Sequence, residues 1–388
     1  MHTPGSADAP ARLQWLENGV QHSARWRSES AMPVPKKVVV ADDRMAADTA
    51  YRLACEGTAL LWRGDFQNAR QLLQALARRA DQSNARRAQA GKSGAALSIT
   101  EAFHLHRQAQ AQRARTLAMV LIPFEADYTI ALRRAPDVRL ACEEAYGPAD
   151  APLVASLREL LGLIGAHEWR KKGVEIAVLG ARIHPYYGVF SPIRGEYLDL
   201  VAQAALPRDT GLAFDIGAGT GVLSALLAKR GVAHVIGTDL DARALACARD
   251  NLTRLGLAGQ VDIVEADLFP PGRAPLVVCN PPWLPGRPSA AIESAVYDPD
   301  SRMLKGYLAG LAAHLSDGGE GWLILSDLAE HLGLRTRAQL TEWIAAGGLK
   351  LVERIDVRPV HPRASDASDP LHAARKLEVT SLWRLQVA

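Results

Sequence analysis

The sequence predicts an α/β fold over its C-terminal half: a mostly parallel sheet of seven strands, covered by helices on both faces. Two observations carry this expectation. Apolar runs near 212–216, 233–238, 261–265, 275–279 and 321–326 alternate with helix-period segments near 220–230, 241–256, 303–315 and 334–346, the rhythm of strands joined by helical crossovers. A glycine-rich turn, Asp215-Ile-Gly-Ala-Gly-Thr-Gly221, closes the first of these strands, where glycine lets backbone approach a ligand and the following helix points its positive end at the same place. Two last strands, 350–357 and 377–387, joined by a long loop, complete the seven as an antiparallel edge hairpin.

The 388 residues suffice for about two to three domains, and 48% hydrophobic against 22% charged residues implies sizeable cores. Residues 1–35 mix Pro, Ser, Ala and charges without periodicity and read as a flexible tail, with Trp15 and Trp26 as docking points. Residues 36–165 read as a mainly helical substrate-recognition domain. Between 42 and 80, Leu53, Leu60, Leu61, Leu72, Leu73 and Leu76 recur at three- and four-residue intervals, predicting two helices broken near Gly64-Asp65. Residues 81–94 read as a basic loop, 100–118 as a helix, 119–124 and 128–132 as strands, and 152–165 as an apolar helix. The C-terminal domain, 166–388, begins with 174–178 and 181–190, which alternate around Gly180 like a hairpin, and continues with a helix over 196–205.

The net charge of +3 is too mild to demand an anionic partner, but it is unevenly spread. From Arg52 to Arg115 there are eleven Lys or Arg against four Asp or Glu, a surplus of seven. Two readings stay open: a track for RNA phosphates with Trp62 and Phe103 as stacking partners, or a solvated helical face. Cys55, Cys142, Cys247 and Cys279 have no paired spacing, so neither a metal site nor a redox pair is expected and a reducing cytoplasm fits. The N-terminus has no basic start followed by an apolar stretch, and no apolar run approaches the roughly 20 residues needed to span a bilayer, so neither export nor membrane insertion is expected.

The glycine-rich turn shares its logic with dinucleotide sites, but its spacing differs. The position three after Gly219 is Val222, and the third glycine comes early, at Gly221. Asp215 would repel a pyrophosphate and attract an ammonium. Asp239, ending the second strand, suits ribose hydroxyls, and Asp267 ends the third strand on the same rim. Taken singly, the turn is open to a purely structural reading, and Asp239 and Asp241 to one as helix caps.

Asn280-Pro281-Pro282-Trp283 follows the fourth strand on that rim. Two prolines stiffen the loop and leave carbonyls free to accept. The Asn280 side-chain oxygen and the Pro281 carbonyl can together accept both protons of an NH2 group, and Trp283 offers a flat face to a base or amide.

The run from Asp215 through Trp283 resembles a class I S-adenosylmethionine-dependent methyltransferase, a resemblance covering about residues 185–388 and not the first 150. It implies a Rossmann-like fold, with Asp215, Gly217, Gly219 and Gly221 around the methionyl part, Asp239 on the ribose, and Asp267 with the Leu268 backbone at the adenine. The Asn-Pro-Pro-Trp segment is similar to that of enzymes acting on adenine or guanine exocyclic amines and on the glutamine of release factors. Residues 184–192 resemble the segment leading into the catalytic domain of small-domain rRNA guanine methyltransferases, and Pro192-Ile-Arg194-Gly-Glu196 resembles substrate-contacting positions of the glutamine enzymes. Trp283 departs from the Tyr usual in the latter and the Phe usual in the former. For Arg194 and Glu196 a helix-start charge arrangement stands beside substrate contact.

The expected activity is therefore S-adenosylmethionine-dependent N-methylation of an exocyclic amine of an RNA base, with rRNA as partner. A protein glutamine amide is the alternative acceptor, and a non-catalytic cofactor-binding interaction protein is the reading from another class. Oligomeric state is not legible.

Overall fold

The computed structural model describes residues 11–91, 97–192, 195–287, 293, 295–359 and 369–388. The chain divides into two compact units, residues 1–96 with 105–167 and residues 97–104 with 168–388.

The first unit holds β1 (Arg12–Glu17), β2 (Val20–Trp26), β3 (Lys37–Ala41), α1 (Ala47–Cys55), β4 (Thr58–Trp62), α2 (Phe66–Gly91), most of α3 (Ile99–Leu117), β5 (Val120–Phe124), α4 (Arg139–Tyr146), β6 (Leu153–Ser156) and most of α5 (Leu157–Lys172). Its strands form one sheet in the order β1-β2-β6-β5-β4-β3, so the mainly helical domain expected here is built around a sheet the sequence reading did not foresee. The expected flexible tail is, from Arg12, a β-hairpin. Its two-residue turn is Asn18-Gly19, both with positive φ, the geometry that matches the twist of paired strands. Trp15 and Trp26 are buried in the core with Leu13, Leu61, Leu121 and Val154 rather than docking elsewhere.

Four further expectations are corrected. Leu60 and Leu61 lie on β4, not a helix. Every residue of that strand is buried, and an apolar run covered on both faces has no period to distinguish strand from helix. Residues 153–156 are likewise a fully buried strand before α5 begins. Residues 128–132 form no strand, because Tyr128 takes a left-handed φ and its Oη donates to the Gly147 carbonyl. The basic loop at 81–94 is helical through Gly91, and Lys92 to Gly94 lie outside the described residues.

The second unit continues with β7 (Val174–Ile176), β8 (Ala181–Ile183), α6 (Glu196–Gln203), β9 (Leu212–Ile216), α7 (Val222–Lys229), β10 (His234–Asp239), α8 (Ala242–Arg254), β11 (Val261–Glu265), β12 (Ala274–Cys279), α9 (Arg302–His314), β13 (Leu315–Ser326), α10 (Leu328–His331), α11 (Arg337–Ala346), β14 (Leu349–Val357), α12 (His372–Arg375) and β15 (Thr380–Val387). Its seven strands run β11-β10-β9-β12-β13-β15-β14, parallel from β11 to β13, with β15 and β14 added antiparallel. This is the Rossmann-like sheet the sequence predicts. Central strand β12 is buried at every position, as a strand covered by helices on both faces must be.

Register positions the site. Ile216 of β9 pairs with Cys279 of β12 and with Thr238 of β10. The loops beginning at Gly217, Asp239 and Asn280 therefore leave the sheet at one level, from strands about 4.8 Å apart. Strand order reverses between β9 and β12, the crevice where open α/β sheets bind ligands. Packing is tight around β10: a Cβ on Gly237 would lie 2.6 Å from Ile263 Cδ1 of β11 and 2.9 Å from Ser224 Oγ of α7. Among the described residues no helix is long and apolar enough to cross a membrane.

Candidate active site

A cavity of about 620 Å3 opens at the carboxyl ends of these strands. Of the residues singled out from sequence, Gly217, Gly219, Asp239, Asp267, Leu268, Asn280, Pro281, Pro282 and Trp283 line it. The structure brings together segments that the sequence holds sixty residues apart.

The glycine turn is held by backbone bonds from Gly217 and Ala218 to the Thr238 carbonyl, at 2.9 and 2.7 Å. Gly217 has a φ of +79°, which a side chain rarely adopts, and a Cβ there would lie 2.6 Å from Cε at the flexible end of Met303. Asp239 accepts from the Gly219 N–H at 3.0 Å through Oδ2 and from the Asp241 N–H at 3.0 Å through Oδ1. Both oxygens are thereby oriented, and each keeps a further lone pair with which to accept. Asp241 caps α8 through the Arg243 N–H, as the structural reading had it. Leu268 takes a left-handed φ of 73° while its carbonyl accepts from Thr238 Oγ1 at 2.5 Å, which ties the β11 rim to β10.

Three predicted residues do not line the cavity. Asp215 is fully buried beneath the turn, its Oδ2 accepting from Ser224 Oγ at 2.6 Å and its Oδ1 without a hydrogen-bond partner. Burial pushes its carboxyl up to about 6, against the pull of the Ser224 hydrogen bonds. Gly221 faces α8 instead, and a Cβ there would lie 3.2 Å from Ala248 Cα. Glu196 is the first residue of α6, and its neighbour Tyr197 lines the cavity in its stead. Arg194 lies outside the described residues.

At the nitrogen end Trp283 Nε1 donates to Asn280 Oδ1 at 2.9 Å. This fixes the Asn280 carboxamide and leaves its oxygen a second lone pair. Asp267 is paired with Arg302 at 2.7 Å. Arg302 and Met303 reach the cavity because Asp298 caps the start of α9, accepting from Met303 N–H at 3.1 Å and Leu304 N–H at 3.2 Å.

Sequence reasoning missed Leu240, Arg302, Arg375 and Glu378 as cavity-lining residues. Leu240 had a readable signal, an apolar side chain directly after the acidic strand end, and it stands 55% exposed. Arg375 and Glu378 had none, being far downstream of every motif. Trp62 and Phe103, expected to stack on bases, are both buried in cores. Among the described residues of this basic stretch, Arg52 pairs with Glu56, Arg63 with Glu17, Arg79 with Asp48 and Arg113 with Asp81. Burial raises the Cys142 and Cys247 thiols to about 12, which makes them inert. No group of three or more His, Cys, Asp or Glu among the described residues could hold a metal ion.

Residues 182–333 match the family model of the methyltransferase small domain. The chain is 38% identical over 122 residues to a release factor glutamine methyltransferase of Cereibacter sphaeroides, covering 31% of this chain and 40% of the relative. It is 32% identical over 158 residues to ribosomal RNA small subunit methyltransferase C of Alcanivorax borkumensis, covering 39% and 45%. It is 28% identical over 163 residues to a putative protein N5-glutamine methyltransferase of Methanocaldococcus jannaschii, covering 40% and 80%. The chain thus spans less than half the length of the first two of these relatives. The glycine cradle that a Cβ would fill and the doubly anchored Asp239 carboxylate fit the methionyl and ribose parts of S-adenosylmethionine. The residues that match the methyltransferase small domain model, 182–333, carry this cradle and the Asn-Pro-Pro-Trp segment on one cavity.

Proposed function

We propose that the protein is an S-adenosylmethionine-dependent N-methyltransferase acting on an exocyclic amine of an RNA base. The observation that carries this reading is that Asn280 and Trp283 share one cavity with Gly217, Gly219 and Asp239. S-adenosylmethionine, when bound, supplies an electrophilic methyl group on a sulfonium.

The chain's own residues do the rest. Asp239 accepts from the ribose hydroxyls, and Leu240 covers the adenine end. Asn280 Oδ1, held by the Trp283 indole, accepts one proton of the acceptor amine while the Pro281 carbonyl accepts the other. An exocyclic amine or amide is poorly nucleophilic because its lone pair is delocalised. Engaging both protons favours the pyramidal nitrogen of the transition state, so the contacts strengthen as transfer proceeds. No base is needed beforehand, since the proton leaves only after the nitrogen has become cationic. Trp283 stacks the acceptor ring.

A protein glutamine amide presents the same NH2 group, and the similarity to the release factor enzyme favours it as the second reading. Incubating the protein with methyl-labelled S-adenosylmethionine and extract from cells lacking it separates the two: label in RNA supports the first reading, label in protein the second. Once the acceptor is in hand, Asn280→Ala should lower the single-turnover rate by about 10²-fold, the scale of one lost preorganised contact, with cofactor affinity within a few-fold. A wild-type rate would remove Asn280 from the chemistry.

A further inference from the structure

The first unit holds a cluster of charged side chains that the reading of the cavity does not use. Strands β3, β4 and β5 run parallel, and the segments that leave their carboxyl ends, 42–46, 63–65 and 125–138, carry Asp43, Asp65, Arg133 and Arg134. Ligands of open α/β sheets bind outside the carboxyl ends of parallel strands. Helix α2 also starts there, at Phe66, and a helix start favours negative charge.

Asp65 is the centre of the cluster. Its side chain has no exposure, and each of its polar atoms is engaged. The N–H donates to Asp43 Oδ1 at 2.9 Å, the carbonyl accepts from the Trp62 indole at 3.0 Å, and Oδ1 accepts from the Gln67 N–H at 2.9 Å. Oδ2 accepts from two arginines, Arg133 Nε at 2.8 Å and Arg134 Nε at 2.7 Å, so the two Nε atoms are no more than 5.5 Å apart. The hydrogen bond from Arg134, joined by that from Arg133, holds the Asp65 carboxyl far below the usual carboxylate range against the effect of burial.

To neutralise a buried carboxylate takes one arginine. Here a second guanidinium is held close to the first, and on unfavourable backbone: Arg134 takes a left-handed φ of 56°, while the Phe66 N–H fixes the Arg133 carbonyl at 2.9 Å. Each arginine uses only its Nε N–H on Asp65. Among the described residues the Nη groups make no hydrogen bond to the protein, and the two side chains are 75% and 56% exposed. Of the other charges on this edge, Asp42 is paired with Arg44 and Glu17 with Arg63, and Asp43 balances one of the two arginines. The site therefore attracts an anion by direct contact with the Nη groups rather than by a net field.

We propose that Arg133 and Arg134, braced by Asp65, bind a phosphate group on the first unit. Two planar forks fixed at one point can donate several charge-assisted hydrogen bonds to one tetrahedral oxyanion. The phosphate belongs either to a nucleic-acid strand or to a free phosphorylated molecule, which share this chemistry. The site does not depend on the reading of the cavity.

The probes are a single-stranded oligouridine and inorganic pyrophosphate, each titrated into the full chain by calorimetry. Arg134→Gly is the main variant. Glycine suits the left-handed φ and Arg133 still pairs with Asp65, so Tm should hold while binding falls about tenfold or more, the scale of one lost hydrogen bond to a charged group. Arg133→Lys keeps a charge on Asp65 but loses the fork, and should weaken binding likewise. Loss confined to oligouridine assigns the phosphate to a strand, and loss with pyrophosphate assigns it to a free molecule. Wild type binding neither probe overturns the site and needs no variant to fold. Equal binding by wild type and both variants overturns it too, and a lower Tm of Arg134→Gly beside that result would mark Arg134 as a structural brace. The labelling experiment on the cavity stands or falls separately from all of these outcomes.

Discussion

Replacing Asp215 by Asn should make the protein's stability less sensitive to pH in a calculable way. Asp215, next to last on β9, has no solvent exposure, and burial is the main cause that raises its pKa from 3.8 to about 6, with the Asp239 charge adding to it and Ser224 opposing it. A carboxyl whose folded value is raised stabilises the fold fully below its unfolded value, and that contribution is lost as pH rises through about 6. The gap is about two pH units at about 1.4 kcal/mol each, or about 3 kcal/mol lost by pH 8. Near pH 5, between the two values, about half is already lost. The advantage of Asn over Asp should therefore grow by about 1–2 kcal/mol between pH 5 and pH 8. Any fixed penalty from setting an amide where Oδ1 has no partner is the same at both pH values and cancels. The assay is thermal unfolding of both proteins at each pH, reading the transition that S-adenosylhomocysteine raises, since only the unit that binds it is stabilised. A gap between variant and wild type that does not change with pH would mean that Asp215 does not ionise in this window, and the reasoning from burial would fail.

The remaining predictions concern the cradle, the nitrogen loop and the basic stretch. Gly217→Ala should weaken S-adenosylhomocysteine binding by about tenfold in calorimetry, because a left-handed φ of 79° costs a side chain about 1–2 kcal/mol, while the flexible Met303 can move aside. Gly221→Ala meets the backbone of α8 and should chiefly lower Tm; the opposite ranking of the two variants would show that the turn is misassigned. Trp283→Phe keeps a ring but loses the indole N–H to Asn280, so single-turnover transfer should fall about tenfold with little loss of stability. Unchanged transfer would mean that the carboxamide is oriented by something else. Reversing the exposed Arg78, Arg86 and Arg87 should flatten the salt dependence of RNA binding by up to about 0.7 log unit per lost phosphate contact, and an unaltered slope would support the solvated face.

Much of the second unit was legible because its signals are local. A glycine turn with positive φ, acidic strand ends and a Pro-Pro loop each require particular residues at fixed spacing, and the alternation of strands and helices gave the parallel sheet and its edge hairpin. The first unit was less legible for the opposite reason. Strands β4 and β6 are buried at every position, so no two-residue alternation marks them, and propensity alone reads Leu60 and Leu61 as helix. The Asn18-Gly19 hairpin did carry a local signal, flanked by alternating apolar positions, and the polar composition around it obscured that signal.

What the sequence by itself determined is which residue types stand in the strand-end loops: a glycine turn, acidic strand ends and an Asn-Pro-Pro-Trp segment. Tertiary structure decided which of them meet. The pairing of Ile216 with Cys279 brings the two loops to one level of the sheet, and no spacing along the chain encodes that register. Burial decided that Asp215 lies beneath the cavity and that Gly221 packs against α8, although both belong to the same motif as Gly217. The cavity wall is the clearest case. Arg375 and Glu378 reach the cavity because Leu371 and Ala374 dock against Leu284 and Leu328, and hydrophobic contact between segments so distant in sequence is fixed only when the whole unit packs.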